Sequence, residues 1–405
     1  MSDPVPFLQR VVLQNYKSIG ACSVELGPLN FLVGPNGAGK SNFLDALRFT
    51  ADSLKTSLEH ALRKRGGIQE VRKRSAGRPT HFGVDLHWRL PTGEYGRYAF
   101  KIGARSGEGY EVQREWCVVY DPRFGVEPAD FDVRSGRVHS TTLNSPPAAA
   151  SDRLFLVAAS GQPQFRPLYD SLVTMGLYNF TPTEIRNLQA SDPGEVLADD
   201  GHNLASVLKR LVGHSGGERN RVTELLGRVV PGISGVSHKQ MGKKETIEFD
   251  QWTAGQEKPW KFDAESMSDG TLRALAVLVA LFQPPSTDGR PVRMVGIEEP
   301  ESALHPGAAG VLRSALFEAS RTRQVIVTSH SPDLLDDKLV PAESILAVSH
   351  QDGETTLGPV DEVSRTSIRD RLFTAGELLR LNQLVSEPAA LLLRDSAQLE
   401  LFRIP

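Results

Sequence analysis

The octapeptide GPNGAGKS at residues 34–41 restricts what this 405-residue chain can fold into more than any other stretch. Its glycines and proline cannot continue a strand, yet the run before it, "LNFLV", is made of β-formers. From Ser41 onward Phe43, Leu44, Leu47 and Phe49 recur at helical spacing. Strand, glycine loop, helix is the order in which backbone N–H groups converge on phosphate oxygens, with the helix N-terminus adding its own partial positive charge. Gly34, Gly39, Lys40 and Ser41 satisfy G-x-x-x-x-G-K-[ST]. The spacing predicts that Lys40 supplies a point charge to β and γ phosphates and that Ser41 Oγ ligates Mg²⁺.

Such a loop needs a metal partner and a base, and "RMVGIEEPESALHP" at 293–306 offers both. An apolar strand runs into two adjacent carboxylates, Glu298 and Glu299, followed by a proline, a third carboxylate and a histidine. Packing is no reason to put carboxylates there, because burying one unpaired costs several kcal/mol. We read Glu298 as facing the magnesium shell and Glu299 as facing an attacking water. Adjacent side chains on extended backbone face opposite ways, so the chain must turn at the strand's end to give the two separate jobs. The next strand, in "QVIVTSHSPD", ends in His330, whose imidazole can donate to a γ-phosphate and sense its presence. Between loop and acidic step, "SMSDGTLRALAVLVALF" sets Ser268, Asp269 and Gly270 before a strongly apolar helix, an N-cap arrangement and therefore also an anion site.

The rest of the chain supplies the organisation. "HFGVDLHWRL", "GRYAFKIGA" and "YEVQREWCVVY" read as strands of an antiparallel meander, and "LNSPPAAAS" as an exposed connection. Residues 165–230 look mostly helical, with "NLASVLKRLV" and "RVTELLGRVV" amphipathic, before a hairpin-like "KKETIEFDQW" to "KPWKFDAES". The last third alternates: a strand at 293–298, a helix from about 306 to 321, strands at 324–329 and 344–350. That rhythm implies a parallel sheet with ligands at the carboxyl ends of its strands. The expected fold is α/β: a phosphate-loop core of mainly parallel sheet with an antiparallel β subdomain, plus an inserted mixed β and helical lobe. The expected divisions are 1–60 and 261–360 for the two halves of the core, 61–260 for the inserted lobe and 361–405 for a tail.

Charge and cysteine usage exclude several classes. With 46 Lys plus Arg against 49 Asp plus Glu, no global basic field advertises nucleic acid. Cys22 and Cys117 lie far apart without a metal-spaced companion, which argues against a disulfide scaffold or a zinc site. MSDPVPFLQR lacks the pattern of a signal peptide, and the longest apolar run, Leu272 to Phe282, is about half the ~20 residues a bilayer span needs. A cytoplasmic location with no membrane contact is the expectation.

Taken together, these motifs resemble the ABC-type ATPases, and within them the RecF, SMC and OLD-like branch. The resemblance implies ATP and Mg²⁺ as cofactors, with Asn36, Gly37, Ala38, Gly39, Lys40, Ser41 and Asn42 around the phosphates. It makes "MSDGT" the signature motif, so that Ser268, Asp269 and Gly270 bind nucleotide, and Met294 to Glu299 the Walker B strand with Ser41 and Glu298 at the metal. Glu299, Lys40 and His330 become the catalytic set, "SALH" at 302–305 the D-loop, and "NYKSI" at 15–19 the opening strand near the adenine. "DDGHNLASVLKRL" also resembles predicted ATPases of this branch. The signature here is S-D-G where the family has S-G-G, and Glu298 stands where Asp is usual. Gln69 and Gln164 are the candidates for a Q-loop. Family behaviour implies a homodimer or higher oligomer sandwiching ATP, with each signature reaching the partner's γ-phosphate.

The output is less legible. No sustained heptads occur, unlike in SMC proteins. About 55 residues follow the strand at 344–350, too few for the nuclease domain of OLD proteins, so an effector such as a nuclease is expected on a separate chain. Asp361, Glu362, Asp370 and Glu377 read as surface charge. Between 63 and 78, "RKRGGIQEVRKR" and Arg78 give seven basic residues against Glu70, a run that could contact DNA phosphates or be a solvated helix and loop. The favoured function is an ATP-driven switch acting on DNA or a DNA-bound partner, in repair or in defence against phage. A transporter's nucleotide-binding subunit and a scaffold module with a slow ATPase timer are the alternatives.

Overall fold

The strand Leu29–Val33 is buried at all five positions, as a strand covered on both faces requires. It delivers the chain into the glycine loop, and the helix Lys40–Lys55 starts directly after it. In this computed structural model the described residues are 6–74, 79–105, 109–123, 127–213, 216–351 and 353–387. They fall into two units, Met1–Met175 with Lys338–Pro405, and Gly176–Asp337.

In the first unit the strands run in the order Arg137–Thr141, Ala129–Arg134, Tyr110–Tyr120, Tyr95–Ala104, His81–Arg89, Leu8–Tyr16, Ile19–Glu25, Glu354–Pro359, Ile345–Gln351, Leu29–Val33. From Arg137–Thr141 to Ile19–Glu25 every pairing is antiparallel, so the expected meander is present. Parallel pairing sets Phe31 opposite Ile345 and Val33 opposite Ala347. The loop's helix buries Phe43, Leu44, Leu47 and Phe49. Phe49 meets Phe82 edge-on at 5.3 Å, Phe82 meets Tyr16 at 5.7 Å, and Phe100 closes the cluster. Each such ring contributes roughly 1.5–3 kcal/mol by leaving water, which holds the helix to the meander.

The second unit has three parallel strands, Gly176–Tyr178, Met294–Glu298 and Gln324–Ser329, in register Ile297 with Tyr178 and Glu298 with Thr328. The helix expected at about 306 to 321 is a 3₁₀ turn, Pro306–Ala308, followed by an α-helix, Ala309–Ala319. The helix Asp269–Phe282 is apolar on most of its surface, and the run Leu275 to Leu281 is buried throughout. Four short antiparallel strands form a separate sheet, in which Ile233–Met241 pairs with Lys244–Gln251, and that strand with Trp260–Asp263. "DDGHNLASVLKRL" serves this architecture. Asn203 Oδ1 accepts Ala198 N–H at 2.8 Å, while its amide donates to Asp192 and to Val196 O. Among the described residues no helix is long and apolar enough to cross a membrane.

Candidate nucleotide site

In the first unit the loop has the backbone its glycines permit. Gly37 and Gly39 have φ of 78° and 103°, a region L side chains rarely adopt. A Cβ on Gly39 would also lie 2.2 Å from Thr355 Oγ1, and one on Gly34 2.0 Å from Val348 O. Gly39 is the N-cap of the helix and has no side chain to cap the first turn, in which Asn42 N–H donates to Gly39 O at 3.0 Å. No acidic residue occupies that first turn. The N–H groups of that turn and the partial positive charge fit an anion. Lys40 is buried, and its ammonium donates to Gly34 O at 2.8 Å and Pro35 O at 3.0 Å. Phosphate oxygens would compete for those protons. Asn36, Gly37 and Ser41 are exposed, Ala38 buried and Asn42 half-buried.

The loop is fastened by Ser18 and by Thr355, and no local pattern picks out the second. Thr355 Oγ1 donates to Ala38 O at 2.8 Å and bonds Ser18 Oγ at 2.7 Å, while Asn42 donates to Ser18 at 2.6 Å. Ser18 lies within "NYKSI", but Thr355 is far along the chain. Of the Q-loop candidates, Gln69 accepts from Arg72, and Gln164 Oε1 is buried with no hydrogen-bond partner among the described residues.

In the second unit the strand Met294–Glu298 is buried throughout and ends on Glu298. The turn the acidic step needed is present: Glu299 has φ of 44°, and its N–H donates to Thr328 O and Thr328 Oγ1, both at 3.1 Å. Glu299 is held at both oxygens, by His330 Nδ1 at 3.2 Å on Oε1 and by Ser302 Oγ at 3.2 Å on Oε2. Arg273, which sequence reasoning passed over, donates to Phe180 O and Glu298 O, each at 3.2 Å. It ties the signature helix to the carboxyl ends of two parallel strands. Partial burial lowers its pKa against the raising influence of Glu299, Glu301 and Glu298, so the acidic step has a half-buried cation beside it.

Ser268 caps the signature helix, accepting Thr271 N–H at 3.2 Å, and Asp269 pairs with Arg186. Gly270 has a packing reason to be glycine, since a Cβ there would lie 2.3 Å from Ala303 O. The structure thus brings Glu298, Glu299 and His330 together in one unit, with Gly270 against the 302–305 loop, and builds the phosphate loop within the other. Among the described residues no group of three or more His, Cys, Asp or Glu could hold a metal by itself. The hydroxyl of Ser41 and the carboxylate of Glu298 are oxygen donors of the kind Mg²⁺ takes, one or two at a time, with phosphate oxygens and water.

The basic run at 63–78 is largely spent on the fold. Arg65 is nearly buried between Asp45 and Asp52, Lys73 pairs with Glu354, and Arg74 with Glu70. Arg72 donates to Gln69 and Pro79 O; Arg78 lies outside the described residues. Glu362, Asp370 and Glu377 are exposed, as expected of surface charge, and two of the four carboxylates also serve helix starts: Asp361 accepts from Val363 and Ser364, and Glu377 completes a capping box with Thr374.

Known proteins fit this geometry. A family described as "AAA domain, putative AbiEii toxin, Type IV TA system" matches residues 29–96 and 229–336, the stretches that carry the phosphate loop, the signature helix and the acidic step. "DNA replication and repair protein RecF" of Vibrio vulnificus is 46% identical over 41 residues, 10% of this chain and 11% of the relative. The RecF of Magnetococcus marinus is 36% identical over 104 residues, 24% of this chain and 26% of the relative. The chain therefore matches only about a tenth to a quarter of the length of these relatives. An SMC head crystallised with the C-terminal winged-helix domain of ScpA superposes with a TM-score of 0.55 at 13% identity, covering 87% of this chain and 97% of that one. An SMC head from Pyrococcus furiosus does so with a TM-score of 0.55 at 12% identity, covering 91% and 100%. The fold is that of the SMC heads, and the matched stretches carry the motifs by which the chain resembles the ABC-type ATPases of the RecF and SMC branch.

Proposed function

We propose that this protein is a Mg²⁺-dependent ATP hydrolase that works as a switch, dimerising around ATP and acting on DNA or a DNA-bound partner in the cytoplasm. The observation that carries the reading is the helix N-terminus behind Gly39, which no side chain caps, with Lys40 buried beside it. In this reading the N–H groups of 36–42 and Lys40 bind the phosphates, and Ser41 and Glu298 hold the metal, which would offset charge on the phosphates. Glu299 takes a proton from the attacking water as its oxygen bonds the γ phosphorus and the bond to the β–γ bridging oxygen breaks. His330 binds the γ-phosphate, either through Nε2 with Nδ1 kept on Glu299 Oε1 or by leaving that oxygen. Ser268, Asp269 and Gly270 complete the site of a second copy, so an isolated protomer hydrolyses slowly.

The DNA part is supported by the names of the RecF relatives and by the basic residues of 63–74 that remain at the surface. Repair and anti-phage defence are the two settings it fits, with an effector such as a nuclease on another chain. Hydrolysis measured with no nucleic acid, with duplex DNA and with single-stranded DNA at low salt tests both parts. No phosphate release under any condition rejects the ATPase; hydrolysis without stimulation or DNA binding rejects the DNA role and leaves the scaffold timer.

A further inference from the structure

The third carboxylate of the acidic step, Glu301, has no part in the reaction as described, yet it is inserted among the residues that do. Its Oε1 accepts a hydrogen bond from Ser329 Oγ at 2.5 Å, and that same Oγ accepts the N–H of Ser331 at 3.0 Å. Ser329 is fully buried and ends the strand Gln324–Ser329. Residues 329 and 331 flank His330, so Glu301 grips the backbone of the histidine's own turn. The other oxygen, Oε2, is buried and has no partner among the described residues. A carboxyl set out of water with half its acceptor capacity unspent is costly, and packing alone would have favoured an apolar residue there. Burial raises its pKa above the ordinary value, with Ser329 the chief opposing influence.

Two chains of contact then run side by side from the loop after Glu298 to the turn carrying His330. One is direct, Glu299 Oε1 to His330 Nδ1. The other goes from Glu301 through Ser329 to the N–H of Ser331. If His330 leaves Glu299 to meet a γ-phosphate, the first chain breaks and the second persists. We propose that Glu301 is a positioning residue that fixes the 329–331 turn through Ser329 and so sets where the His330 imidazole can reach. The inference rests on the reading of His330 as the γ-phosphate partner, and it gives the acidic step a third role distinct from metal and base.

The test is a set of full-length variants assayed for single-turnover ATP hydrolysis and for nucleotide affinity. Glu301→Ala lowers the rate about tenfold while affinity changes less than about twofold, a kcat effect without a matching KM effect. Glu301→Gln retains at least about half of the rate, because its carbonyl still accepts from Ser329. Ser329→Ala costs as much as Glu301→Ala, and the double variant costs no more than either. In a His330→Ala background Glu301→Ala changes the rate by less than about twofold. Equal losses in the presence and absence of His330, or Gln as damaging as Ala, overturn the proposal. A second readout needs no hydrolysis: the His330 Cε1–H resonance of the nucleotide-free protein shifts in Glu301→Ala and holds its position in Glu301→Gln. An unmoved resonance in Glu301→Ala overturns the proposal even in an active enzyme. A shifted resonance in a protein that hydrolyses nothing supports it while the ATPase reading fails.

Discussion

Lys40 and Glu299 are poised in opposite ways. Lys40 spends its ammonium on two carbonyls of its own loop, and in the proposed complex phosphate oxygens would take over those protons with opposite charge on both partners. Lys40→Ala should therefore weaken ATP binding at least about tenfold, read by titration with a fluorescent nucleotide; unchanged affinity would remove the loop from the site. Glu299 is held at both carboxylate oxygens and turned by a left-handed backbone. Glu299→Gln keeps the shape and loses the base, so nucleotide affinity should stay within a few-fold while hydrolysis falls by about 10²–10⁴. Loss of both together would mean that Glu299 holds the nucleotide in place.

Elements meet here through close backbone approaches and buried carboxylates. The signature helix lies so near the 302–305 loop that a methyl at Gly270 would sit 2.3 Å from Ala303 O. Backbone cannot yield as a flexible side chain can, so Gly270→Ala should cost about 1–3 kcal/mol in denaturant unfolding. An unfolding midpoint equal to the parent's would mean that the loop gives way freely. In the first unit Glu115 is fully buried, accepting Tyr98 OH at 3.0 Å and Leu156 N–H at 2.9 Å. Burial pushes its pKa up to about 7, against the lowering effect of Phe155 and Leu156 N–H and Tyr98 OH. A carboxyl whose folded pKa is raised contributes stability that is present below its unfolded pKa, roughly 4.3, and lost as pH rises through about 7. The melting temperature should fall between pH 5 and 8 by an amount equivalent to at most about 3 kcal/mol, and Glu115→Gln should flatten that slope. A parallel slope in the variant would assign the pH dependence to other groups.

At the scale of the whole molecule the decisive prediction concerns association. Glu299→Gln with ATP and Mg²⁺ should elute as a dimer on size exclusion, and Lys40→Ala under the same conditions as a monomer, because a nucleotide shared at an interface stabilises the assembly by mass action. An elution profile indifferent to nucleotide would sink the ATP sandwich. The basic run bears on partners at this scale too. With Arg65 and Lys73 committed to Asp45, Asp52 and Glu354, it offers DNA fewer phosphate contacts than its composition suggests. DNA affinity through 63–74 should therefore fall only shallowly with salt, a log–log slope of about −2 to −4. A slope of about −5, the value for all six basic residues of 63–74, would show the ion pairs opening on binding.

Local chemistry made the central motifs legible. Spacing alone sets Gly39 before Lys40, and an apolar run ending in two glutamates announces a strand that meets a cation or a proton. The strand and helix types around them are visible for the same reason, since periodicity is a property of neighbours in sequence. What no neighbour encodes is long-range closure. Thr355 reaches Ala38 and Ser18 across more than three hundred residues, and Arg273 reaches Glu298 O from another element. The burial of Arg65 turned an apparent surface cation into a structural one, and the turn at 329–331 gave Glu301 a contact. By itself the sequence determined which residue types stand at the phosphate loop, the signature and the acidic step. Only the tertiary structure decided which of the remaining charges are committed to the fold, because that depends on which backbone and side-chain groups packing brings within hydrogen-bond reach.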